Sequence, residues 1–146
     1  VEENNEYKLN ISSYIGRVNK NKQVEQNGII INLQYIDIFM DYEKHTYLIS
    51  NNTQNKILLD TRENTGTIYL LDENQTKFDS MLYETPRSDL YINPNTQKDV
   101  TIKFSNSFRD GIETESVIFS DIVDNADLYE QNKNNYSNRI NVQIDV

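Results

Sequence analysis

The chain alternates short apolar runs with polar breaks that are rich in Asn, Thr and Gly. The stretch from residue 47 to 72 shows this best, with apolar runs at residues 57–59 and 68–71 and a break containing Gly66 between them. Short β-prone runs separated by such breaks are typical of successive strands joined by turns. The pattern therefore predicts a ladder of strands.

The clearest candidate strands alternate apolar and polar side chains. Val100, Ile102 and Phe104 share one face of such a strand, and residues 140–146 alternate in the same way. Further candidates are residues 11–18 at a sheet edge, 29–40, 46–50, 57–59, 67–71, 78–83, 89–92 and 117–123. Residues 124–131 are either one turn of helix or a loop.

In the longest apolar segment the alternation of apolar and polar side chains shifts by one residue near the middle. Apolar side chains occupy residues 29, 31, 33 and 35, and then residues 36, 38 and 40. A one-residue phase change inside an apolar strand indicates a β-bulge or bend, which we predict near residues 34–36. Asn27-Gly28 before this strand and Asn93-Pro94-Asn95 later in the chain predict turns.

Short strands with alternating apolar and polar side chains fit antiparallel sheets that have one face exposed to solvent. We therefore predict an all-β fold, an antiparallel β-sandwich of about seven to nine strands, with a closed barrel as the alternative. Residues 1–10 are polar and predict a leader or linker, which leaves residues 11–146 as one domain. The chain starts at Val1, and this polar beginning suggests a segment that follows a removed leader or anchor.

Composition narrows the classes of partner. The 146 residues carry a formal charge of −9, which disfavours nucleic acids and anionic lipid surfaces. Cysteine is absent, so the sequence has no disulfide, thiolate metal site or cysteine nucleophile. Only four glycines occur and no Gly-rich phosphate loop is visible. We therefore expect no enzyme activity, and we predict no cofactor, no catalytic residue and no metal ligand.

Several strand and turn segments carry a family resemblance. They are Asn27-Gly28-Ile29, YLISNNTQNKI at residues 47–57, IYLLDEN at residues 68–74, NPNTQKDVTIKF at residues 93–104 and SVIFSDIV at residues 116–123. Together they resemble an immunoglobulin-like, telokin-like domain of unknown function found in secreted or lipid-anchored proteins of Gram-positive bacteria. The chain departs from this pattern at Asn95, where the family usually has Gly, and Asn tolerates the left-handed backbone that such a turn needs.

The resemblance implies an export context and no assigned catalytic residue. We therefore expect a non-catalytic binding or scaffold module on the bacterial cell envelope, at the cell surface and lipid-anchored through a segment before Val1. The expected partner is a protein or another envelope component, and the membrane is reached only through that anchor. The alternative is an accessory domain that binds a carbohydrate or another small ligand.

Four groups of residues carry side chains that could support chemistry. His45, the single histidine, lies among charged residues before a predicted strand, which indicates a solvated turn histidine. Acidic groups at residues 72–74 and at Asp121, Asp124 and Asp127 offer oxygen ligands for calcium, but neither fits an EF-hand loop, so solvated loops are expected. Glu113 with Glu115, and Glu84, are carboxylates of the kind that glycosidases use, although such pairs arise readily among 23 acidic residues.

Tyrosines provide the most plausible binding surface in the sequence. A tyrosine offers an apolar ring with a polar tip, which suits carbohydrate and protein recognition. We expect most of the candidates to be half-buried at sheet edges. They are Tyr42, Tyr47, Tyr83, Tyr91, Tyr129 and Tyr136.

Overall fold

A computed structural model describes residues 14–105 and 114–146. The fold is all-β, and all the strand pairings are antiparallel. The strands are β1 (Tyr14–Gln26), β2 (Ile29–Phe39), β3 (Tyr42–Asn51), β4 (Ile57–Leu58), β5 (Ile68–Asp72), β6 (Lys77–Asp79), β7 (Tyr91–Ile92), β8 (Thr96–Ser105), β9 (Thr114–Ile122) and β10 (Ile140–Asp145). In the described residues one short α-helix, α1 (Ala126–Gln131), precedes β10. No helix in the described part of the chain has the length and apolar character needed to cross a membrane.

Two four-stranded sheets share one hydrophobic core. The first has the strand order β1-β2-β3-β8 and the second has the order β10-β9-β5-β6. The inward faces meet at Tyr47 of β3 and Phe119 of β9, whose ring centroids lie 5.2 Å apart in an edge-to-face contact. A small third sheet pairs β4 with β7. The core therefore lies between the two larger sheets.

The sheets also approach each other at their edges. Ser80, just after β6, forms an isolated bridge with Phe104 of β8, and Met81 N donates to Lys103 O at 2.7 Å. At the other side β1 contacts β10. These contacts give the molecule some of the closure of a barrel, although each sheet keeps its own continuous hydrogen-bond ladder.

The predicted phase change is confirmed as a bulge in β2. Leu33 pairs with Tyr47, and Tyr35 pairs with the adjacent Thr46, so Gln34 is an extra residue opposite β3. The insertion keeps Leu33 and Ile36 on the buried side of the sheet. Without it the second half of the strand would turn its apolar side chains toward solvent.

The two predicted turns are also confirmed. Asn27 and Gly28 connect β1 to β2 with φ angles of 54° and 82°, the left-handed conformation of a two-residue hairpin loop. Asn95 has a φ of 54°, so it adopts the left-handed backbone that glycine would otherwise supply.

Several predicted boundaries were wrong. The first described strand reaches Gln26, well beyond the predicted end at residue 18, because it follows the length of β2. The candidate strands 78–83 and 89–92 are each only partly strand: Phe78 and Asp79 belong to β6 and Tyr91 and Ile92 form β7, whereas residues 82–83 and 89–90 belong to two 3-10 helices, Leu82–Glu84 and Arg87–Leu90. Pro86 lacks a backbone N–H for a strand ladder and instead precedes the second of these helices.

The strand count is ten in the described residues, against an expected seven to nine. The extra strands are two-residue or three-residue pieces such as β4, β6 and β7. Residues 124–131 contain helix α1, which Asn125 caps by accepting from Leu128 N at 3.1 Å. The predicted leader at residues 1–10 lies outside the described residues.

Candidate functional site

The loop that joins β4 to β5 is held by an unusual number of polar contacts. It comprises residues 60–67, with the sequence DTRENTGT, and we call it the 60–67 loop. Its first anchor is Asp60, a fully buried carboxylate that accepts from Arg62 N at 2.7 Å and from the Thr67 hydroxyl. One side chain thus ties the two ends of the loop together.

A second buried carboxylate fastens the loop to the second sheet. Asp121 of β9 accepts from Thr61 N at 2.9 Å and from the Thr61 hydroxyl, and it also accepts from Arg139 Nε at 2.7 Å. Ser120 binds the Thr67 carbonyl through both its amide and its hydroxyl. The loop is therefore attached to β9 at both ends.

Helix α1 and the second 3-10 helix support the loop from outside. Tyr129 of α1 donates its hydroxyl to Glu63, and Arg87 Nη1 donates to Thr61 O at 2.7 Å. Arg87 also pairs with Glu130 of α1 at 3.0 Å. Such a network fixes loop geometry in advance of any contact with a ligand.

The ionisable groups of this region are shifted by burial and by their partners. Burial raises the pKa of Asp60, although the hydrogen bonds from Thr67 and the Arg62 amide oppose that rise. Burial, with the contact to Glu63, raises the pKa of Tyr129 to about 12. The Tyr91 hydroxyl, followed by Arg87, lowers the pKa of Glu130 to about 2 despite partial burial. Tyr129 therefore stays neutral and Glu130 stays ionised over the physiological range.

A cleft of about 270 Å³ lies beside the loop. Its walls are Arg62 and residues 64–67 on one side and Ser80, Leu82 and Tyr83 on the other. Tyr83 is 80% exposed, so its ring is available at the rim. The side chains of Asn64, Thr65 and Ser80 make no hydrogen bond to any described residue, which leaves their polar groups available.

Arg62 is the charged group of the cleft. Its backbone has a φ of 63°, a left-handed conformation that costs a non-glycine residue roughly 1–2 kcal/mol. Its Nη2 donates to Leu82 O at 2.8 Å, while its Nε is enclosed without an acceptor. Among the described arginines, Arg17, Arg87 and Arg139 each pair with a carboxylate, and Arg62 does not.

Gly66 is the cleft residue at which the loop comes closest to β6. Its φ is 71°, and a Cβ at this position would lie 2.8 Å from Lys77 Nζ and 3.2 Å from Asp79 Oδ1. A side chain here would therefore push the ion pair of β6 away from the loop. The glycine therefore lets the Lys77 and Asp79 side chains approach the loop beside the cleft.

The structure corrects the interpretation of His45. The residue lies inside β3 and is fully buried, with Nε2 2.9 Å from Glu43 Oε1 and Nδ1 2.9 Å from the Tyr47 hydroxyl. Residues 43, 45 and 47 share the inward face of the strand, which begins at Tyr42 rather than at residue 46. The polar sequence DYEKH suggested a solvated turn, whereas Glu43, His45 and Tyr47 form hydrogen bonds inside the core.

The acidic candidates do not converge on a common ligand position. Asp121 binds Thr61 and Arg139, Asp124 accepts from the Tyr136 hydroxyl, and Asp127 pairs with Lys56 at 3.4 Å. Asp72 was expected to be solvated, but it is buried. Its Oδ1 accepts hydrogen bonds from Asn74 N and Thr76 N at 2.8 Å each, which satisfy the carboxylate inside the turn. The described residues contain no group of three or more His, Asp or Glu side chains placed to hold a metal ion.

Of the three carboxylates considered for glycosidase chemistry, the structure describes the side chain of one. Glu84 is exposed and pairs with Lys103 at 3.6 Å. Glu113 and the side chain of Glu115 lie outside the described part of the chain.

The tyrosines divide into three environments. Tyr42, Tyr91 and Tyr136 are half-buried, as expected. Tyr47 and Tyr129 are buried in the core, and Tyr83 is exposed, so the expectation was wrong for these three. Tyr83 alone among the six lines the cleft.

Sequence reasoning missed Arg62 and the 60–67 loop as a site. One signal was available: an Asp two residues before Arg62 favours an Asx turn, in which the carboxylate accepts a nearby amide hydrogen. That signal predicts a shaped turn, but it does not predict the cleft, because Ser80 and Tyr83 come from a distant part of the sequence.

Comparison with known proteins adds support for the fold. No protein-family model matches the sequence, and comparison with functionally described proteins gave no significant match. A 2.2 Å crystal structure of a conserved hypothetical protein from Bacillus anthracis is similar, with a TM-score of 0.50 and 12% identity. The similarity covers 70% of this chain and 89% of that one. At this identity it supports the all-β fold alone.

Proposed function

We propose that this protein is a non-catalytic binding module and that the cleft beside the 60–67 loop is its binding site. The observation that carries the proposal is a cleft of about 270 Å³ lined by an arginine without a carboxylate partner, on a loop held by buried carboxylates. Binding sites work best when the contact residues are held in place before the ligand arrives.

The proposal includes an immunoglobulin-like sandwich. In that fold strands A, B and E are neighbours in one sheet, and C′, C, F and G are neighbours in the other. The orders β2-β3-β8 and β6-β5-β9-β10 correspond to these two series. β1 is then an additional strand on the first sheet, and the small β4-β7 sheet replaces a regular strand D in the described residues.

The proposed setting is the outside of a bacterial cell, attached there by a lipid anchor, with a protein or envelope component as partner. The resemblance to secreted, telokin-like domains supports this setting. The net charge of −9 supports a partner other than nucleic acid. A scaffold role would use the sheet faces, whereas an accessory role in binding carbohydrate or another small ligand would use the cleft.

The cleft favours the accessory role. Its volume is slightly below the roughly 300–1,000 Å³ of sites for drug-sized ligands, which suits one sugar unit or a group of similar size. Tyr83 offers an exposed ring, and Asn64 offers an amide that can both donate and accept hydrogen bonds.

The test compares two depressions on the surface. Soluble fragments of digested bacterial envelope are passed over immobilised wild-type protein, a Tyr83→Ala variant and a Gln97→Ala variant. Gln97 lines a second depression of about 290 Å³ at the far end of β8, which has neither a cation nor an aromatic ring. Retention by wild type and Gln97→Ala, with loss in Tyr83→Ala, is expected. Equal retention by all three, or none by wild type, would contradict the proposal.

A further inference from the structure

The ligand that the cleft would hold can be inferred from the charges around it. This inference rests on the proposed function and concerns the same cleft. Arg62 is the cation of the cleft wall, and its guanidinium donates to one protein acceptor in the described residues, Leu82 O. A guanidinium has five N–H donors, so most of its capacity is unused.

The free donors lie at the end of the side chain. Nε is enclosed and Nη2 uses one hydrogen on Leu82 O, which leaves Nη1 and the second hydrogen of Nη2. Two neighbouring N–H groups of a guanidinium match two oxygens of a carboxylate or a phosphate. Arg62 is therefore arranged to receive an oxyanion end-on.

The nearby carboxylates are already engaged. Asp60 is buried and bound to Thr67 and the Arg62 amide, and Asp79 is 3.8 Å from Lys77. Glu63 accepts from Tyr129 and lies 3.8 Å from Arg139. Asp60 attracts the charge of Arg62, but no described carboxylate forms an ion pair with the guanidinium, in a protein of net charge −9.

The rest of the cleft is suited to hydroxyl groups. Asn64, Thr65 and Ser80 present polar side chains without hydrogen-bond partners in the described residues. Tyr83 presents a ring face on which the C–H side of a sugar or polyol packs. An anion alone would leave these groups unused.

We propose that the cleft binds an anionic sugar or polyol, with its carboxylate or phosphate on Arg62, its hydroxyl groups on Asn64, Thr65 and Ser80, and its carbon skeleton on Tyr83. An envelope polymer that carries such units, or a free acidic sugar, supplies this chemistry. The neutral sugar lacks the oxyanion, and a simple anion lacks the hydroxyl groups.

The experiment uses isothermal titration of the full chain with four probes. Glucuronate carries the carboxylate on a sugar, glycerol 3-phosphate carries the phosphate on a polyol, glucose lacks the charge, and acetate lacks the polyol. We expect binding of glucuronate, glycerol 3-phosphate or both. Binding of glucose should be at least about tenfold weaker because it lacks the charge-assisted hydrogen bonds to Arg62, and binding of acetate should be weaker by a similar factor because it lacks the hydroxyl and ring contacts. The stronger of the two anionic probes identifies the anion.

Variants assign the binding to the cleft. Arg62→Gln should weaken the anionic probe about tenfold or more, and Tyr83→Ala should weaken it while leaving the melting temperature unchanged. Lys22→Gln removes the same charge from an exposed position on β1 and should bind like wild type. Unchanged affinity in Arg62→Gln, or equal binding of acetate and glucuronate, would overturn the inference.

The outcome also separates this inference from the proposed function. Wild-type protein that retains envelope fragments through Tyr83 but binds neither anionic probe refutes the ligand class and leaves the binding module standing. Wild-type protein that binds neither probes nor fragments refutes both.

Discussion

At the scale of single residues, Arg62 combines backbone strain with an unused charge. It holds a left-handed φ of 63° and pairs with no carboxylate in the described residues. Strain of this kind persists where the surrounding structure enforces it, often at sites of binding. Asp60 enforces it here by accepting from the Arg62 amide at 2.7 Å.

The Arg62→Gly variant tests whether the residue serves binding rather than stability. Glycine relieves about 1–2 kcal/mol of left-handed strain, while the lost hydrogen bond to Leu82 O costs about 0.5–1.5 kcal/mol. We therefore expect the free energy of unfolding to change by less than about 1 kcal/mol in urea denaturation, with ligand binding lost. A loss well above that value would make Arg62 part of the structural framework.

His45 has the opposite character, because it is enclosed and fully partnered. One arrangement satisfies all three groups: Nε2 donates to the Glu43 carboxylate, and Nδ1 accepts from the Tyr47 hydroxyl. Replacing His45 by Leu leaves a buried carboxylate without its donor, which should cost at least about 1–3 kcal/mol of unfolding free energy.

A triple variant serves as the matched control for His45→Leu. Glu43→Leu, His45→Leu and Tyr47→Phe together remove the whole polar chain while keeping the volume of the core similar. Urea denaturation should show a smaller loss for the triple variant than for His45→Leu alone, because no buried charge is left unpaired. An equal or larger loss would mean that shape, rather than charge pairing, determines the cost.

Glu130 gives the clearest dependence on pH. The Tyr91 hydroxyl, with help from Arg87, lowers its pKa from 4.5 to about 2. Because the folded pKa lies below the ordinary value, the stabilisation is complete above pH 4.5 and is lost as the pH falls toward 2. Carbon NMR of the side-chain carboxyl group should therefore show a titration near 2.

Substitution identifies the cause of that shift. Tyr91→Phe should move the pKa of Glu130 upward, whereas Tyr69→Phe, on β5 and remote from Glu130 in the hydrogen-bond network, should leave it unchanged. A wild-type titration near 4.5 would contradict the described contact between Tyr91 and Glu130.

At the scale of elements, the bulge in β2 decides which side chains reach the core. Gln34 is the extra residue, and Ile36 and Ile38 beyond it are 5% and 7% exposed. Deleting Gln34 would turn both side chains to the outer face, and burial of each is worth about 1.5–3 kcal/mol. We expect the deletion to lower the free energy of unfolding by about 3–6 kcal/mol in urea denaturation.

The control for the deletion keeps the bulge and removes only the side chain. Gln34→Ala should change the free energy of unfolding by less than about 1 kcal/mol, since the Gln34 side chain is only half-buried. A deletion variant as stable as Gln34→Ala would mean that β2 can shift its register without cost.

Elements with a strong period could be predicted from the sequence, and those built by distant contacts could not. The bulge near residue 34, the Asn27-Gly28 turn and the strand at residues 140–146 follow directly from alternation and turn chemistry. Residues 82–84 resemble a strand in composition, but Met81 N already bonds to Lys103 O of a distant strand, and the chain turns there.

The candidate site was hidden for the same reason. Asp60 and Thr61 read as an ordinary polar turn, and their role depends on Asp121, sixty residues later in the chain. His45 was misplaced because Glu43 and His45 are polar, although they face inward with Tyr47. Local pattern shows where a side chain points only when its polarity matches its environment.

At the scale of the whole molecule, two antiparallel sheets share a core and meet at both edges. The β6–β8 contact at Ser80 places the 3-10 helix with Tyr83 opposite the 60–67 loop, so the closing of the sheets at this edge creates the cleft. The net charge of −9 surrounds one unpaired arginine in that cleft. The contact between the sheets and the unpaired charge of Arg62 therefore both favour this cleft as the binding site.

The most direct test of this account is amide NMR of the wild-type chain during titration with soluble fragments of digested bacterial envelope. The largest shifts should fall on residues 62–67, Ser80 and residues 82–83, and Arg62→Gln should abolish them. Shifts concentrated on the outer face of the β1-β2-β3-β8 sheet, or shifts that persist in Arg62→Gln, would contradict it.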